Sequence, residues 1–435
     1  MIYYKNMVRK YLLILLISIN HLIFAWPVLA QPTDWKDCNR TSVGFKPLMD
    51  MGASEYYPNA SDGDREEGGL YGNGSNAPPP AHYQKAAEAT SQIKPLNANG
   101  QVDETNGKIG MVSLGMSNTT QVFSKFKSIA GLAGSGKSSK VVLVDGAYNS
   151  QTAGRWAAAE GIFEFNPWQN LRDMVGLNGL SNQQVQVFWI KLTNGDPAQP
   201  GKEDHPGFAL DLLNDLGVIV KKVHTDFPNV QIIYVSSRTY GGYTLTNLSP
   251  EPSAYETAFA MRYLIDDQQG LFTNPLTYSN WVDITYNNAP VILWGPYLWA
   301  DGMIPRSDGI IWECGDFEFD GVHPSVVSGR EKAANLLLNF FKTDSLAKTW
   351  FTGTGVLPSS PPIASTSPLP STSVAPSSTP FEKGDVNHDG MVNINDAKLI
   401  INNYAKNSST VPTYFDPIVD SKVGSMDFGV WRRYF

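Results

Sequence analysis

Lys108-Ile109-Gly110-Met111-Val112-Ser113-Leu114-Gly115-Met116-Ser117-Asn118-Thr119-Thr120 is the stretch on which the fold turns. An apolar run of strand length, Ile109 to Leu114, stops at a glycine, crosses a short polar turn, and enters helically spaced residues from Thr120 to Leu132. The same alternation recurs downstream. Further strands are expected at Val141 to Val144, Val185 to Leu192, Val230 to Val235 and Val291 to Trp294, with helices at Phe208 to Thr225, Ser253 to Gln268 and Ser328 to Phe341. Near-continuous Val/Ile/Leu runs belong to strands buried on both faces, and the intervening helices supply the crossovers that parallel strands require. Residues 108–354 are therefore expected to form a three-layer, doubly wound α/β domain.

Outward from that core the composition changes three times. Residues 1–30 have a basic start (Lys5, Arg9, Lys10), an apolar run from Tyr11 to Trp26, and a closing Val28-Leu29-Ala30, which together predict a secretory signal cleaved after Ala30. No later run approaches the ~20 apolar residues that span a bilayer, so the cleaved chain is expected to be secreted and soluble. Residues 31–107 are rich in Gly, Asn, Pro and Tyr without periodicity, and are expected to be an irregular extension that wraps the main domain. Residues 355–380 are a Pro/Ser/Thr linker. The last segment, 381–435, regains apolar periodicity but is too short to fold without a staple.

The net charge of −8, with no Lys/Arg cluster, argues against a nucleic-acid partner. The two cysteines, Cys38 and Cys314, could pair in an oxidising compartment or remain free thiols.

In a doubly wound sheet the ligand crevice lies beyond the carboxyl ends of the strands. Four such ends carry polar or glycine residues: Ser117 after the first, Asp145-Gly146 after the second, Thr193-Asn194 after the third and Ser237-Arg238 after the fourth. Near the end of the domain, Asp316-Phe317-Glu318-Phe319-Asp320-Gly321-Val322-His323-Pro324-Ser325 offers a base. An Asp three residues before a His can accept from the imidazole and fix the tautomer, leaving the other ring nitrogen to take a serine proton. Ser117 alone would be read as a helix N-cap; beside Asp320 and His323 it reads as a nucleophile.

These blocks resemble the SGNH, or GDSL-like, hydrolase superfamily over roughly Lys108 to Phe341. Asp320-Gly321-Val322-His323-Pro324-Ser325 carries the family's Asp-x-x-His before the last helix. The nucleophile block reads Gly-Met-Ser-Asn in place of Gly-Asp-Ser, and looks like the Gly-Gln-Ser-Asn of the carbohydrate acetylesterase branch. Asn194 stands at the third block, in Thr-Asn-Gly-Asp where Gly-x-Asn-Asp is usual. The resemblance implies acyl transfer without a catalytic cofactor: Ser117 attacks, His323 takes the proton and Asp320 orients it. Ser117, Gly146 and Asn194 would hold the oxyanion. Arg238 would bind a substrate carboxylate or hydroxyl, or close a structural ion pair. The aromatic run Trp294 to Trp299 would stack on a sugar or pack in the core.

Gly131-Leu132-Ala133-Gly134-Ser135-Gly136-Lys137-Ser138 matches the P-loop pattern, but it follows a helix and leads into a strand, the reverse of a phosphate-cradling loop. No nucleotide partner is expected.

In the small module, Asp385, Asn387, Asp389 and Asp396 fall at calcium-loop positions 1, 3, 5 and 12, with Gly390 at the sharp turn and Met391 where a backbone carbonyl serves. The arrangement resembles a type I dockerin, which implies Ca²⁺ and a cohesin-type protein partner. A second copy at Asp416, Asp420 and Asp427 is eroded, with Ile418 and Ser421 in place of a ligand and the glycine. Taken together, the sequence predicts a secreted serine ester hydrolase acting on polysaccharide and attached to a scaffold or surface. The alternatives are a lipid or thioester hydrolase of the same superfamily, or a non-catalytic glycan-binding protein.

Overall fold

The computed structural model describes residues 35–57, 67–195, 207–271 and 283–354. Five strands, β1 (Ile109–Gly115), β2 (Val141–Asp145), β3 (Val185–Lys191), β4 (Ile232–Val235) and β5 (Val291–Trp294), form one sheet in the order β2-β1-β3-β4-β5. Every neighbouring pair is parallel. β1, β3, β4 and β5 are buried at every residue, the physical origin of their unbroken apolar sequences.

The described helices are α1 (Pro80–Gln92), α2 (Ser117–Ala130), α3 (Ala153–Ala157), α4 (Pro167–Leu177), α5 (Gly207–Asp226), α6 (Ser253–Gln268), α7 (Gly329–Thr343) and α8 (Ala347–Phe351). α2 packs on α7 over one face of the sheet and α5 on α6 over the other. On the first face Phe123 stacks on Trp189 of β3 at 5.7 Å, and Phe126 meets Phe341 at 5.8 Å. On the second, Phe227, just beyond α5, meets Phe188 edge-on at 5.2 Å. Each such buried ring contributes roughly 1.5–3 kcal/mol. This is the three-layer, doubly wound architecture expected for residues 108–354, and the five expected strands agree to within two residues.

Four helices escaped the sequence reading. α1 lies in the segment expected to be irregular: its buried side chains, His82, Tyr83, Ala86 and Thr90, give too narrow and too polar a stripe for periodicity to register. α4 does carry a start signal, because Asn166 caps it by accepting from the Gln169 N–H at 3.0 Å and Pro167 follows at the first helical position. α3 and α8, five residues each, are too short for a period.

The segment before β1 wraps the domain by covering α6, which is buried along its whole length. Phe45 stacks on Tyr255 at 5.0 Å, Tyr57 meets Phe259 edge-on at 5.4 Å, and Glu67 pairs with the buried Arg262 at 2.7 Å. Cys38 and Cys314 form a disulfide, with Cα atoms 5.4 Å apart. The P-loop-like stretch turns from α2 into β2, and Lys137 Nζ donates to the carbonyls of Ser138 (3.0 Å) and Val141 (2.8 Å).

Candidate active site

The order β2-β1-β3 reverses direction between β1 and β3, and the crevice of a doubly wound sheet opens at that switch, beyond the strands' carboxyl ends. Ser117 stands there as the first residue of α2. Its hydroxyl is not a cap: Thr119 Oγ1 accepts the Met116 N–H at 3.3 Å and donates to the Lys191 carbonyl at 2.6 Å. Ser117 Oγ instead lies 2.6 Å from Nε2 of His323.

His323 comes from the loop that precedes α7. Phe317 and Pro324 form an isolated antiparallel bridge, the Glu318 N–H donates to the His323 carbonyl at 2.8 Å, and Gly321 turns with φ +72°. A side chain at Gly321 would also press on Thr244. This turn brings Asp320 back on His323: Oδ2 faces Nδ1 at 2.5 Å, while Oδ1 accepts the N–H groups of Val322 and His323, both at 3.0 Å. Burial pushes the Asp320 carboxyl upward, but the ring and backbone hydrogen bonds and the nearby imidazole outweigh it and bring it down to about 2. Nδ1–H is thereby held by a carboxylate, and Nε2 presents its lone pair to the serine.

Lys36 Nζ donates to the carbonyls of Cys314 (3.1 Å) and Phe317 (2.8 Å), and Asp316 pairs with Lys332. The disulfide thus staples the N-terminal segment to the start of the loop that carries His323.

The remaining sequence candidates fare unevenly. Asn194, just beyond β3, is locked in orientation: Oδ1 accepts the Gly154 N–H at 2.9 Å and Nδ2 donates to Asp215 at 2.9 Å. Its second amide hydrogen has no acceptor among the described residues. Gly146 was expected to let backbone approach a ligand; the structure gives it a packing reason, since a Cβ there would lie 2.8 Å from both the Ser113 carbonyl oxygen and Leu171 Cγ. Arg238 is buried and closes no ion pair among the described residues. Trp294, Tyr297 and Trp299 are buried, so the aromatic run packs in the core. Asp385, Asn387, Asp389, Met391 and Asp396 lie outside the described residues.

Three features were not foreseen. Lys191 closes β3 as a buried lysine. Exposed aromatics flank the pair Ser117 and His323 in the order of the sheet. Tyr148, 42% exposed, donates its N–H to the Gly115 carbonyl at 3.1 Å and stacks on Phe165 at 4.2 Å on the β2 side. On the side of the loop after β4, Trp35 (41% exposed) meets Phe319 (67% exposed) at 5.5 Å, next to Asp320. Nothing in local periodicity marks these residues, because their setting is made by the meeting of distant loops.

With the geometry in place, comparison with known proteins adds a family for one part of the chain. Residues 383–435 match the model of the Dockerin type I domain. The C-terminal module is a type I dockerin. Among solved structures, the chain is similar to the lipase Lip_vut3 from a goat rumen metagenome, at 13% identity and a TM-score of 0.30, covering 54% of this chain and 98% of that one. It is also similar to a protein of Parabacteroides merdae described as a GDSL-like lipase, at 14% identity and a TM-score of 0.28, covering 53% of this chain and 94% of that one. No curated protein matches the sequence. The dockerin therefore sits, in sequence, behind the α/β domain that carries Ser117, His323 and Asp320.

Proposed function

We propose that the α/β domain is a serine ester hydrolase of the SGNH superfamily that removes acyl groups from polysaccharide, secreted and attached to a scaffold through its dockerin. The observation that carries this reading is the continuous relay from Ser117 Oγ through His323 to Asp320, at 2.6 and 2.5 Å. A serine hydroxyl is a weak nucleophile until a positioned base takes its proton.

Ser117 Oγ attacks the ester carbonyl as its proton passes to Nε2. The Asp320 carboxylate stabilises the imidazolium so formed. The tetrahedral oxyanion is held by the Ser117 N–H at the start of α2 and the second amide hydrogen of Asn194, whose side chain Gly154 and Asp215 fix in place. Nε2–H then protonates the departing alcohol. A water attacks the acyl-serine by the reverse route, releasing the carboxylic acid and restoring the hydroxyl.

The exposed aromatics on either side of the nucleophile support a sugar polymer as substrate, since rings stack on pyranose faces at little entropic cost. Among the described residues no helix is long and apolar enough to cross a membrane. Type I dockerins bind calcium and dock on cohesins. In this chain Asp385, Asn387, Asp389, Asp396 and the Met391 carbonyl stand at the sequence positions that would hold the ion, and calcium bound there would add stability to a short module. Acetate release from acetylated xylan and pectin, with fluorophosphonate labelling of Ser117, tests the reading. Absence of both label and ester turnover in the folded, secreted chain would remove it.

A further inference from the structure

Two basic side chains near the proposed triad have no role in it. Lys191 ends β3 in register with Gly115, two residues before Ser117. Arg238 lies three residues beyond β4, the next strand in the sheet. Both are at the carboxyl edge, and they are 1% and 3% exposed. Arg238 Nε is buried without a partner, and neither side chain forms an ion pair among the described residues.

An unpaired buried charge is costly enough that proteins pair it, bond it or let it neutralise. Here burial pushes Arg238 down to about 10, against the opposing pull of Asp320 and Glu251. Burial also takes Lys191 well below the ordinary lysine range, and the charge of Arg238 adds to the effect. The two basic groups thus feel each other, and the acids that act on Arg238 among the described residues are already engaged. Asp320 holds His323 and the Val322 N–H. Glu251 accepts from the Gly241 N–H (2.7 Å), the Tyr255 N–H (2.9 Å) and Trp299 Nε1 (2.8 Å), and burial pushes it up to about 7. Two buried basic side chains thus stand at the edge of the site, and among the described residues no free anion is found beside them.

We propose that Lys191 and Arg238 form a pocket for a carboxylate carried by the substrate, so that the ester cleaved at Ser117 belongs to an acidic, uronate-bearing glycan. This rests on the esterase reading of the same site. The planar fork of Arg238 matches the two oxygens of a carboxylate, and the Lys191 ammonium would add a point charge beside it.

The test compares two polymers with the same acetyl groups: acetylated polygalacturonate, and the same material with its carboxyls converted to primary amides. The full-length protein is expected to release acetate from the acid form with a kcat/KM at least about tenfold higher, because a site built around a polar group rejects the analogue that lacks it. In R238Q and K191M that ratio falls toward one, and R238K, which keeps the charge but not the fork, lies between. A wild-type ratio near one, or a ratio that survives R238Q and K191M, overturns the pocket. Should no ester be cleaved at all, 4-nitrophenyl acetate included, the esterase reading falls, and the pocket is read by titrating trigalacturonate into S117A and S117A/K191M. Binding weakened at least about tenfold by K191M supports it. Equal affinity overturns it, as does sodium acetate binding as tightly as trigalacturonate, which would make the occupant a free small anion.

Discussion

Nε2 of His323 lies 2.6 Å from Oγ of Ser117, across 206 positions of sequence. The contact places a proton acceptor on a hydroxyl at the first position of α2. Ser117→Ala is therefore expected to lower ester turnover by at least about a thousandfold while leaving the melting temperature within a degree or two. Turnover of 4-nitrophenyl acetate and thermal melts of the same samples check both halves.

Asp320 fixes the imidazole, so Asp320→Asn, which leaves shape but reverses the partner's tautomer, is expected to reduce kcat by about 10³- to 10⁴-fold. The carboxyl is held at about 2 in the folded protein, below its unfolded value. Its contribution to stability is present above the unfolded value near 3.8 and is lost as pH falls through 2. Melts at pH 5 and pH 2.5 should show a smaller acid-induced loss in the Asn variant than in the wild type.

Glu251 has the opposite sign. Its folded value is raised to about 7 from 4.5, so its contribution is complete below pH 4.5 and is lost as pH rises through 7. Glu251→Gln, neutral at every pH, should flatten the decline in melting temperature between pH 5 and pH 8; an unaltered decline would assign it to another group.

The Cys38–Cys314 disulfide closes a sequence separation of 276 residues and ties the Trp35 wall to the loop bearing Asp320 and His323. Replacing both cysteines with serine is expected to cost about 2–5 kcal/mol. It should also raise KM for polymer more than for 4-nitrophenyl acetate, because the segments bearing Trp35 and Phe319 then lose their covalent link and keep only the Lys36 hydrogen bonds and the ring contact.

Calcium is expected to act on the dockerin part of the chain. Chelation of the full-length protein should lower the melting transition of residues 381–435, as should Asp385→Ala, while 4-nitrophenyl acetate turnover stays unchanged. Calorimetry with and without chelator separates the two transitions.

Much of this was legible before any coordinates. Ile109 to Leu114 and its four counterparts announced parallel strands because burial on both faces demands continuous apolar residues. Asp320 and His323 were legible together because a three-residue turn is local chemistry. α1 was missed because its buried face, His82, Tyr83, Ala86 and Thr90, is small and polar. Lys191 was hidden inside an apolar run, where one charged residue at a strand's end carries no period.

The sequence by itself determined the α/β class, the strand-end position of Ser117, the Asp-x-x-His turn and the dockerin spacing, all of which follow from short-range periodicity and fixed offsets. Only the tertiary structure decided that Ser117 faces His323 and does not cap its helix, that Cys38 reaches Cys314, that Asn194 is held by Gly154 and Asp215, and that the side chains of Lys191 and Arg238 are buried with no ion pair among the described residues. Those relationships join residues tens to hundreds of positions apart. Such distances are set by how the layers pack, and no local pattern encodes them.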